Sequence, residues 1–182
     1  MDSMIKDALN FLRFQSRDIE HYNQYSIALI LFILALMAVP FSWISESYEI
    51  VRIPDIVIDE IYMIGASLLG SLFFVYWLGR KDKKYSFATV FKFFGVMTIG
   101  TFIPTIAGLL IEFILDYSLV SVIISLLAYV YVLVIAIITT SKATGVTQSY
   151  VLGGNLIVLP IIFLSVTIFF LFVIDWSLID LT

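Results

Sequence analysis

The chain has 182 residues, of which 62% are hydrophobic and 16% aromatic, and its mean hydropathy is +1.08. A soluble domain must present a polar surface to water, so this composition predicts an integral membrane protein. The sequence has no cysteine, which excludes a disulfide framework, a thiolate metal site and a cysteine nucleophile. Its single histidine, His21, excludes a multi-histidine metal site and a bis-histidine haem.

The first 22 residues predict a cytoplasmic amphipathic tail, with one helix over residues 3–20. Mixed polar and apolar residues precede the first long apolar stretch, so we expect no cleavable signal peptide. A helix of this kind can lie in the headgroup layer of a membrane or dock against the cytoplasmic end of the protein's own helices. At 100° per residue its apolar side consists of Met4, Ile5, Ala8, Leu9, Phe11, Leu12 and Ile19.

Five apolar stretches follow the tail, and each is about as long as the roughly 20 helical residues that cross a hydrocarbon core of about 30 Å. Their hydrophobicity is continuous and does not alternate, which favours helices over barrel strands. The predicted fold is all-α: an integral membrane bundle of five transmembrane helices, with the tail as an interfacial helix, in one domain over 1–182. The predicted helices are about 25–44, 58–79, 90–113, 118–139 and 151–174.

The basic residues divide unevenly between the two predicted sides of the membrane. Nine of the ten lie in the tail, in the second loop with the start of the third helix, or in the fourth loop, and Arg52 alone lies on the other side. Basic loops stay in the cytoplasm during insertion, so we expect a cell-membrane protein with a cytoplasmic N-terminus and an outer C-terminus. The nine are Lys6, Arg13, Arg17, Arg80, Lys81, Lys83, Lys84, Lys92 and Lys142.

The tail cations Lys6, Arg13 and Arg17 and the five cations of residues 80–92 define a predicted cytoplasmic basic patch. One hypothesis is that this patch binds anionic lipid headgroups or an acidic protein partner. The alternative is that these residues serve only as a topology signal. The five are Arg80, Lys81, Lys83, Lys84 and Lys92.

The third predicted helix carries small and hydroxylated residues along one face. Spacings of three and four residues place Thr98, Thr101, Thr105, Gly108 and Glu112 together, and Ser118, Ser121, Ser125 and Ala128 repeat the spacing in the fourth helix. Such faces allow close helix packing, and a polar path that ends at Glu112 is the alternative.

Two prolines and an amide add a second feature of these helices. Pro104 removes a backbone hydrogen bond inside the third helix, which predicts a kink. Asn155 follows Gly153 and Gly154 in the fifth helix, ahead of Pro160. Broken helices with a buried amide can form a substrate site, although passive bundles contain them too.

No catalytic constellation is recognisable in the sequence. His21 lies in the tail, away from the intramembrane serines, and no metal-ligand cluster or phosphate-binding glycine loop occurs. We therefore predict no enzymatic activity, no cofactor, no metal and no nucleic-acid partner, and a homo-oligomer is compatible with the sequence.

The stretches "FKFFGVMTIGTFIPTIAGLL" and "SKATGVTQSY", with Gly95 and Pro104 in the third helix, resemble the Yip family of five-pass membrane proteins. The resemblance implies a scaffold in membrane organisation or trafficking that binds a partner protein or lipid. The "DLWGP" and "GYG" motifs of eukaryotic members are absent, so Rab binding is not carried over, and a prokaryotic member is implied. The alternative function is a small transporter or channel subunit with its path along the third helix.

Overall fold

The structure is a computed structural model that describes residues 2–45, 53–114 and 119–158, and single positions 160, 161, 164 and 168. Throughout these residues the only regular secondary structure is helical, so the protein is all-α. A 3-10 helix, Ile19–Gln24, lies between the first two α-helices. The α-helices are α1 (Asp2–Phe11), α2 (Ile27–Ser45), α3 (Ile53–Gly79), α4 (Phe87–Ile114), α5 (Leu119–Thr144) and α6 (148–158).

Two of these helices contain segments that are long and apolar enough to cross a membrane. They are Phe87–Ile111 in α4 and Val122–Thr144 in α5. The described residues also include two shorter apolar segments, Ile27–Met37 and Ile64–Gly79. Membrane association thus has support from length and composition in two helices, and five passes remain a prediction. Most of the predicted fifth segment beyond residue 158 lies outside the described residues.

Helix boundaries differ from the limits of the apolar stretches. Helix α3 begins five residues before the predicted 58, and α5 continues five residues past the predicted 139. At the end of α5 the Thr144 hydroxyl donates to the Thr140 carbonyl, and Gly145 then leaves the helix with φ of +69°. Hydropathy locates the apolar part of a helix, whereas caps and turns determine where it ends.

Contacts between helices give the relative directions of α2, α4 and α5. Met97 of α4 contacts Thr139 of α5, whereas Gly108, further along α4, lies against Ala128, so these two helices are antiparallel. Helix α2 runs parallel to α4: Asn23, which precedes α2, contacts Lys92, and Ile30 lies against Gly95. This up-and-down order is the one that successive membrane passes would require.

The predicted helix over residues 3–20 is wrong in length, because α1 ends at Phe11. Phe14 has a positive φ of 56°, and the backbone N–H of Gln15 donates to the Asn10 carbonyl at 3.0 Å, which closes the helix end. The chain then turns, and the Asp18 carboxylate accepts from the Glu20 N–H at 3.0 Å to cap the 3-10 helix. The tail is therefore a helix, a turn and a second short helix.

The tail docks on the bundle through one face of α1. Met4, Ala8 and Phe11 are buried, and the close approach of α1 to α4 is such that a Cβ on Gly100 would lie 2.1 Å from the Ala8 carbonyl oxygen. Gly100 lies about 20 Å along α4 from Phe87, at about 1.5 Å per residue. The tail therefore covers the first half of a candidate membrane span, while Ile5 and Leu9 stay exposed on the other side of α1.

Candidate functional site

Asp7 is a buried carboxylate that joins the two halves of the tail. Its Oδ2 atom accepts a hydrogen bond from the Tyr25 hydroxyl at 2.6 Å and lies 2.7 Å from His21 Nε2. Among the described residues this is the only contact within 4.0 Å between a carboxylate and a basic side chain. A buried carboxylate requires hydrogen-bonding partners, and here both belong to the segment that follows the turn. Asp7 therefore holds α1 against the 3-10 helix.

The contact with Asp7 and the burial of Tyr25 change the pKa of its phenol. Burial, followed by the hydrogen bond to Asp7, raises the pKa of Tyr25 from 10.0 to about 12. In the unfolded chain the phenol would lose its proton near its usual pKa. Between about pH 10 and 12 the unfolded tail therefore binds fewer protons than the docked tail, and the stability of docking falls as the pH rises through this range.

We expect an absorbance titration near 295 nm to show a tyrosine that ionises near pH 12 in the wild type and is missing in Tyr25→Phe. Docking of the tail, measured by hydrogen exchange of α1, should weaken in the wild type between about pH 10 and 12. In the variant this alkaline loss should be smaller. Identical titration curves and identical alkaline losses in both proteins would contradict the assignment.

Side chains of α5 satisfy two carbonyl groups of the turn that follows α1. The Tyr131 hydroxyl donates to the Leu12 carbonyl at 2.6 Å, and Lys142 Nζ donates to the Phe14 carbonyl at 2.7 Å. Leu12 and Phe14 lie in the turn that follows α1, so these contacts hold that turn against α5. Lys142 thus has a structural contact with the tail.

The second anchor of the tail is Asn23, which contacts the start of α4. Its carbonyl accepts from Lys92 Nζ at 2.9 Å, and its side-chain oxygen accepts from the Thr89 hydroxyl at 2.9 Å. Lys92 was predicted to bind lipid or a partner, and the structure shows its ammonium bound to the tail backbone.

Arg80 and Lys81 lie over an aromatic pair that joins α3 to α6. The rings of Trp77 and Tyr150 stack with centroids 4.9 Å apart, Trp77 Nε1 donates to the Tyr150 carbonyl at 3.0 Å, and the Tyr150 hydroxyl donates to the Trp77 carbonyl at 2.5 Å. The Arg80 guanidinium lies 5.5 Å from the Trp77 ring, and Lys81 Nζ lies 5.2 Å from the Tyr150 ring. These cation–π contacts hold two loop cations next to the end of α3.

The rest of the loop faces both the tail and the solvent. Lys84 is exposed, and Lys83 is half-buried, with its Nζ near Gly145. Burial raises the pKa of Tyr85, and the negative charges of Asp18 and Glu20 in the tail raise it further. The loop therefore lies within electrostatic range of the acidic part of the tail.

The tail cations Lys6, Arg13 and Arg17 are exposed. In the described part of the chain, the contacts given above between the tail and the region 80–92 run through Asn23 and Tyr85 and do not involve these three residues. That both basic groups form one patch stays a prediction.

The hydroxylated face of α4 has contacts typical of helix packing. Thr101 donates to the Met97 carbonyl at 3.1 Å, Thr105 donates to the Thr101 carbonyl at 2.9 Å, and Ser125 of α5 donates to the Gly108 carbonyl at 3.0 Å. In each of these contacts the hydroxyl proton is donated to a helix carbonyl, within α4 for the two threonines and between α5 and α4 for Ser125.

Other predicted residues of this face are placed less completely. Thr98 is half-buried, and α4 continues through Pro104 to Ile114. The side chains of Glu112 and Ser121 lie outside the described residues, so a polar path stays a prediction. In α6, Asn155 is buried and its Nδ2 donates to the Val151 carbonyl at 3.0 Å, a contact within one helix.

The contacts of Asp7 with His21 and Tyr25 were not predicted from the sequence, although the position of Asp7 in the helix pattern indicated a buried residue. Asp7 lies three residues after Met4 and four before Phe11, so it belongs to the apolar face of α1. An acidic residue on a buried face indicates a partner elsewhere in the fold. His21 and Tyr25, which follow in the same tail, are polar residues that can serve as that partner.

Comparison of the chain with models of known families, with curated proteins and with solved structures finds no match. Within the described ranges, no group of three or more His, Cys, Asp or Glu side chains is placed to hold a metal ion.

Proposed function

We propose that this is a non-enzymatic, five-pass membrane protein of Yip type. It acts in membrane organisation, as a scaffold whose cytoplasmic basic residues bind anionic lipid headgroups or an acidic partner. Two candidate membrane spans support the membrane location, and the uneven distribution of Lys and Arg supports the orientation. The resemblance in the third-helix stretch and in "SKATGVTQSY" supports the Yip type.

The basic loop at residues 80–84 supports the binding function most directly. Of its cations, Arg80, Lys81 and Lys84 are exposed, and among the described residues no carboxylate lies within 4.0 Å of any Lys or Arg. The loop joins the apolar end of α3 to the candidate span of α4, where headgroups would be in reach. Cations near an anionic surface contribute about 1 kcal/mol each, which suits this loop to such a ligand.

The triple variant Lys81→Gln, Lys83→Gln, Lys84→Gln is expected to retain anionic lipid at least about tenfold less well than the wild type, since each lost cation removes about 1 kcal/mol before salt screening. Retention is measured by mass spectrometry of protein isolated from nanodiscs that contain phosphatidylglycerol. In the wild type it should decline as salt rises, because exposed charges are screened over about 8–10 Å at physiological salt.

The control is Lys81→Arg, Lys83→Arg, Lys84→Arg, which keeps the charge and should retain lipid as the wild type does. Arg80, Lys92 and the tail cations preserve the topology signal in both variants. Equal lipid retention by wild type and Gln variant at all salt concentrations would contradict lipid binding by the loop and leave it as a topology signal.

A further inference from the structure

A polar cavity of about 260 Å³ lies between α1 and the turn that follows it. Each of its described lining residues carries a side chain that can form hydrogen bonds, which is unusual next to an apolar bundle. The volume equals that of roughly eight or nine waters in the liquid, enough for a small polar group. The lining residues are Asp7, Asn10, Gln15, Ser16, Arg17 and Tyr22.

The cavity is lined by one acidic and one basic residue that do not pair with each other. They are Asp7 and Arg17: Asp7 contacts His21, and Arg17 has no carboxylate within 4.0 Å among the described residues. Opposite charges in one cavity would normally pair directly. Here the side-chain charges of Asp7 and Arg17 are more than 4.0 Å apart.

The Asp7 carboxylate also keeps acceptor capacity. The Tyr25 hydroxyl donates to Oδ2 and His21 Nε2 contacts the same oxygen, while the residue is only 8% exposed. An ionised carboxylate has about four acceptor sites on two oxygens, and buried acceptors are normally satisfied. In the described part of the chain no donor contacts Oδ1, so this oxygen can accept from a donor inside the cavity.

We propose that this cavity binds a small zwitterionic group, with a primary ammonium at Asp7 and a phosphate or carboxylate at Arg17. A guanidinium binds such anions through two parallel hydrogen bonds, and the amides of Asn10 and Gln15 can contact the rest of the ligand. The same chemistry occurs in the headgroup of phosphatidylethanolamine and in free phosphoethanolamine. This ligand differs from the purely anionic headgroups proposed for the basic loop.

The first test titrates phosphoethanolamine into the full-length protein in phosphatidylcholine nanodiscs and follows binding by calorimetry. The wild type should bind it saturably, and ethanolamine or inorganic phosphate alone should bind at least about tenfold more weakly, because each lacks one of the two charge contacts. Arg17→Gln should lose at least about tenfold in affinity. Arg17 is exposed at the surface, so this substitution leaves the core packing intact.

Arg13→Gln is the matched control, because it removes the same charge from the same turn and Arg13 does not line the cavity. It should bind as the wild type does. If the wild type binds phosphoethanolamine, equal affinities of Arg17→Gln and Arg13→Gln for it would overturn the proposal.

A second arm distinguishes the two sources of the ligand. Protein isolated from nanodiscs with phosphatidylethanolamine is examined by mass spectrometry for retained lipid. Retention by the wild type and Arg13→Gln, with loss in Arg17→Gln, identifies the lipid headgroup, whereas saturable binding of the free compound alone identifies a soluble ligand. Saturable binding of neither overturns the proposal. The triple Gln variant of the loop should behave as the wild type in both arms. The experiments therefore distinguish a loop that does not bind anionic lipid from a cavity that does not bind the zwitterionic group.

Discussion

Replacing Gly100 by alanine is expected to displace α1 from α4. The new methyl carbon would lie 2.1 Å from the Ala8 carbonyl oxygen and 2.9 Å from its carbon, and backbone atoms of a packed helix cannot rotate out of the way. Overpacking of this kind costs about 1–3 kcal/mol or more, and here the cost falls on one interface. We expect faster tryptic cleavage after Arg13 and Arg17, and faster hydrogen exchange throughout α1.

Two other glycine substitutions calibrate this result. A methyl group at Gly65 would meet nothing within 4 Å, so Gly65→Ala should leave cleavage of the tail unchanged. At Gly95 the methyl would lie 2.4 Å from Cγ2 of the buried Ile30, whose χ1 is nearly fixed in a helix, so Gly95→Ala should disturb the contact of α2 with α4 and affect the tail less than Gly100→Ala does. Equal protection of α1 in Gly100→Ala and Gly65→Ala would contradict the docked tail.

Replacing Trp77 by alanine is expected to destabilise the contact between α3 and α6. Trp77 stacks on Tyr150, hydrogen-bonds its carbonyl and lies against Gly154, so truncation removes a large contact and leaves the Tyr150 carbonyl without its donor. Truncation of a buried aromatic residue to alanine costs about 3–5 kcal/mol, and the half-buried Trp77 should lie near the lower end. The measurement is unfolding by sodium dodecyl sulfate in mixed micelles, followed by circular dichroism.

Trp77→Phe keeps an aromatic ring and removes the indole N–H, so it should cost about 1–2 kcal/mol. Tyr150→Phe removes only the hydroxyl that donates to the Trp77 carbonyl, with a cost of similar size. A Trp77→Ala protein that unfolds at the same detergent fraction as Trp77→Phe would show that the ring contacts contribute little.

The face of α1 could be predicted from its pattern, but the end of the helix could not. Met4, Ala8 and Phe11 recur at helical spacing, and the structure buries all three, although Ile5 and Leu9 of the same predicted side are exposed. The positive φ of Phe14 has no counterpart in the pattern, because large side chains rarely adopt it. Tyr131 and Lys142, more than a hundred residues away, donate to carbonyl groups of that turn.

For the basic residues, too, the sequence predicts their position in the chain but not their contacts. Counting charges identifies a basic loop, and the structure leaves Arg80, Lys81 and Lys84 exposed as a binding loop requires. Charge alone does not reveal a partner, however, and the Lys92 ammonium binds the Asn23 carbonyl. A lysine that caps a carbonyl and a lysine that meets a headgroup look identical in a sequence.

Composition and hydropathy were sufficient to predict that the described residues are helical, and to place the apolar parts of α2 to α5 approximately. An α-helix satisfies its backbone hydrogen bonds with neighbours along the chain, so a local pattern contains the necessary information. The spacing of Gly108 and Ser125 also indicated a close contact between α4 and α5, because each helix repeats its face locally.

Tertiary structure alone decided which polar groups meet. The contacts of Asp7 with His21 and Tyr25 and of Trp77 with Tyr150, and the separation of Asp7 from Arg17 across a cavity, depend on the turn after α1 and on the packing of distant helices. Such contacts join residues with no fixed spacing in the sequence. Periodicity therefore leaves no record of them, and only the folded arrangement of α1, α3, α4 and α6 brings them together.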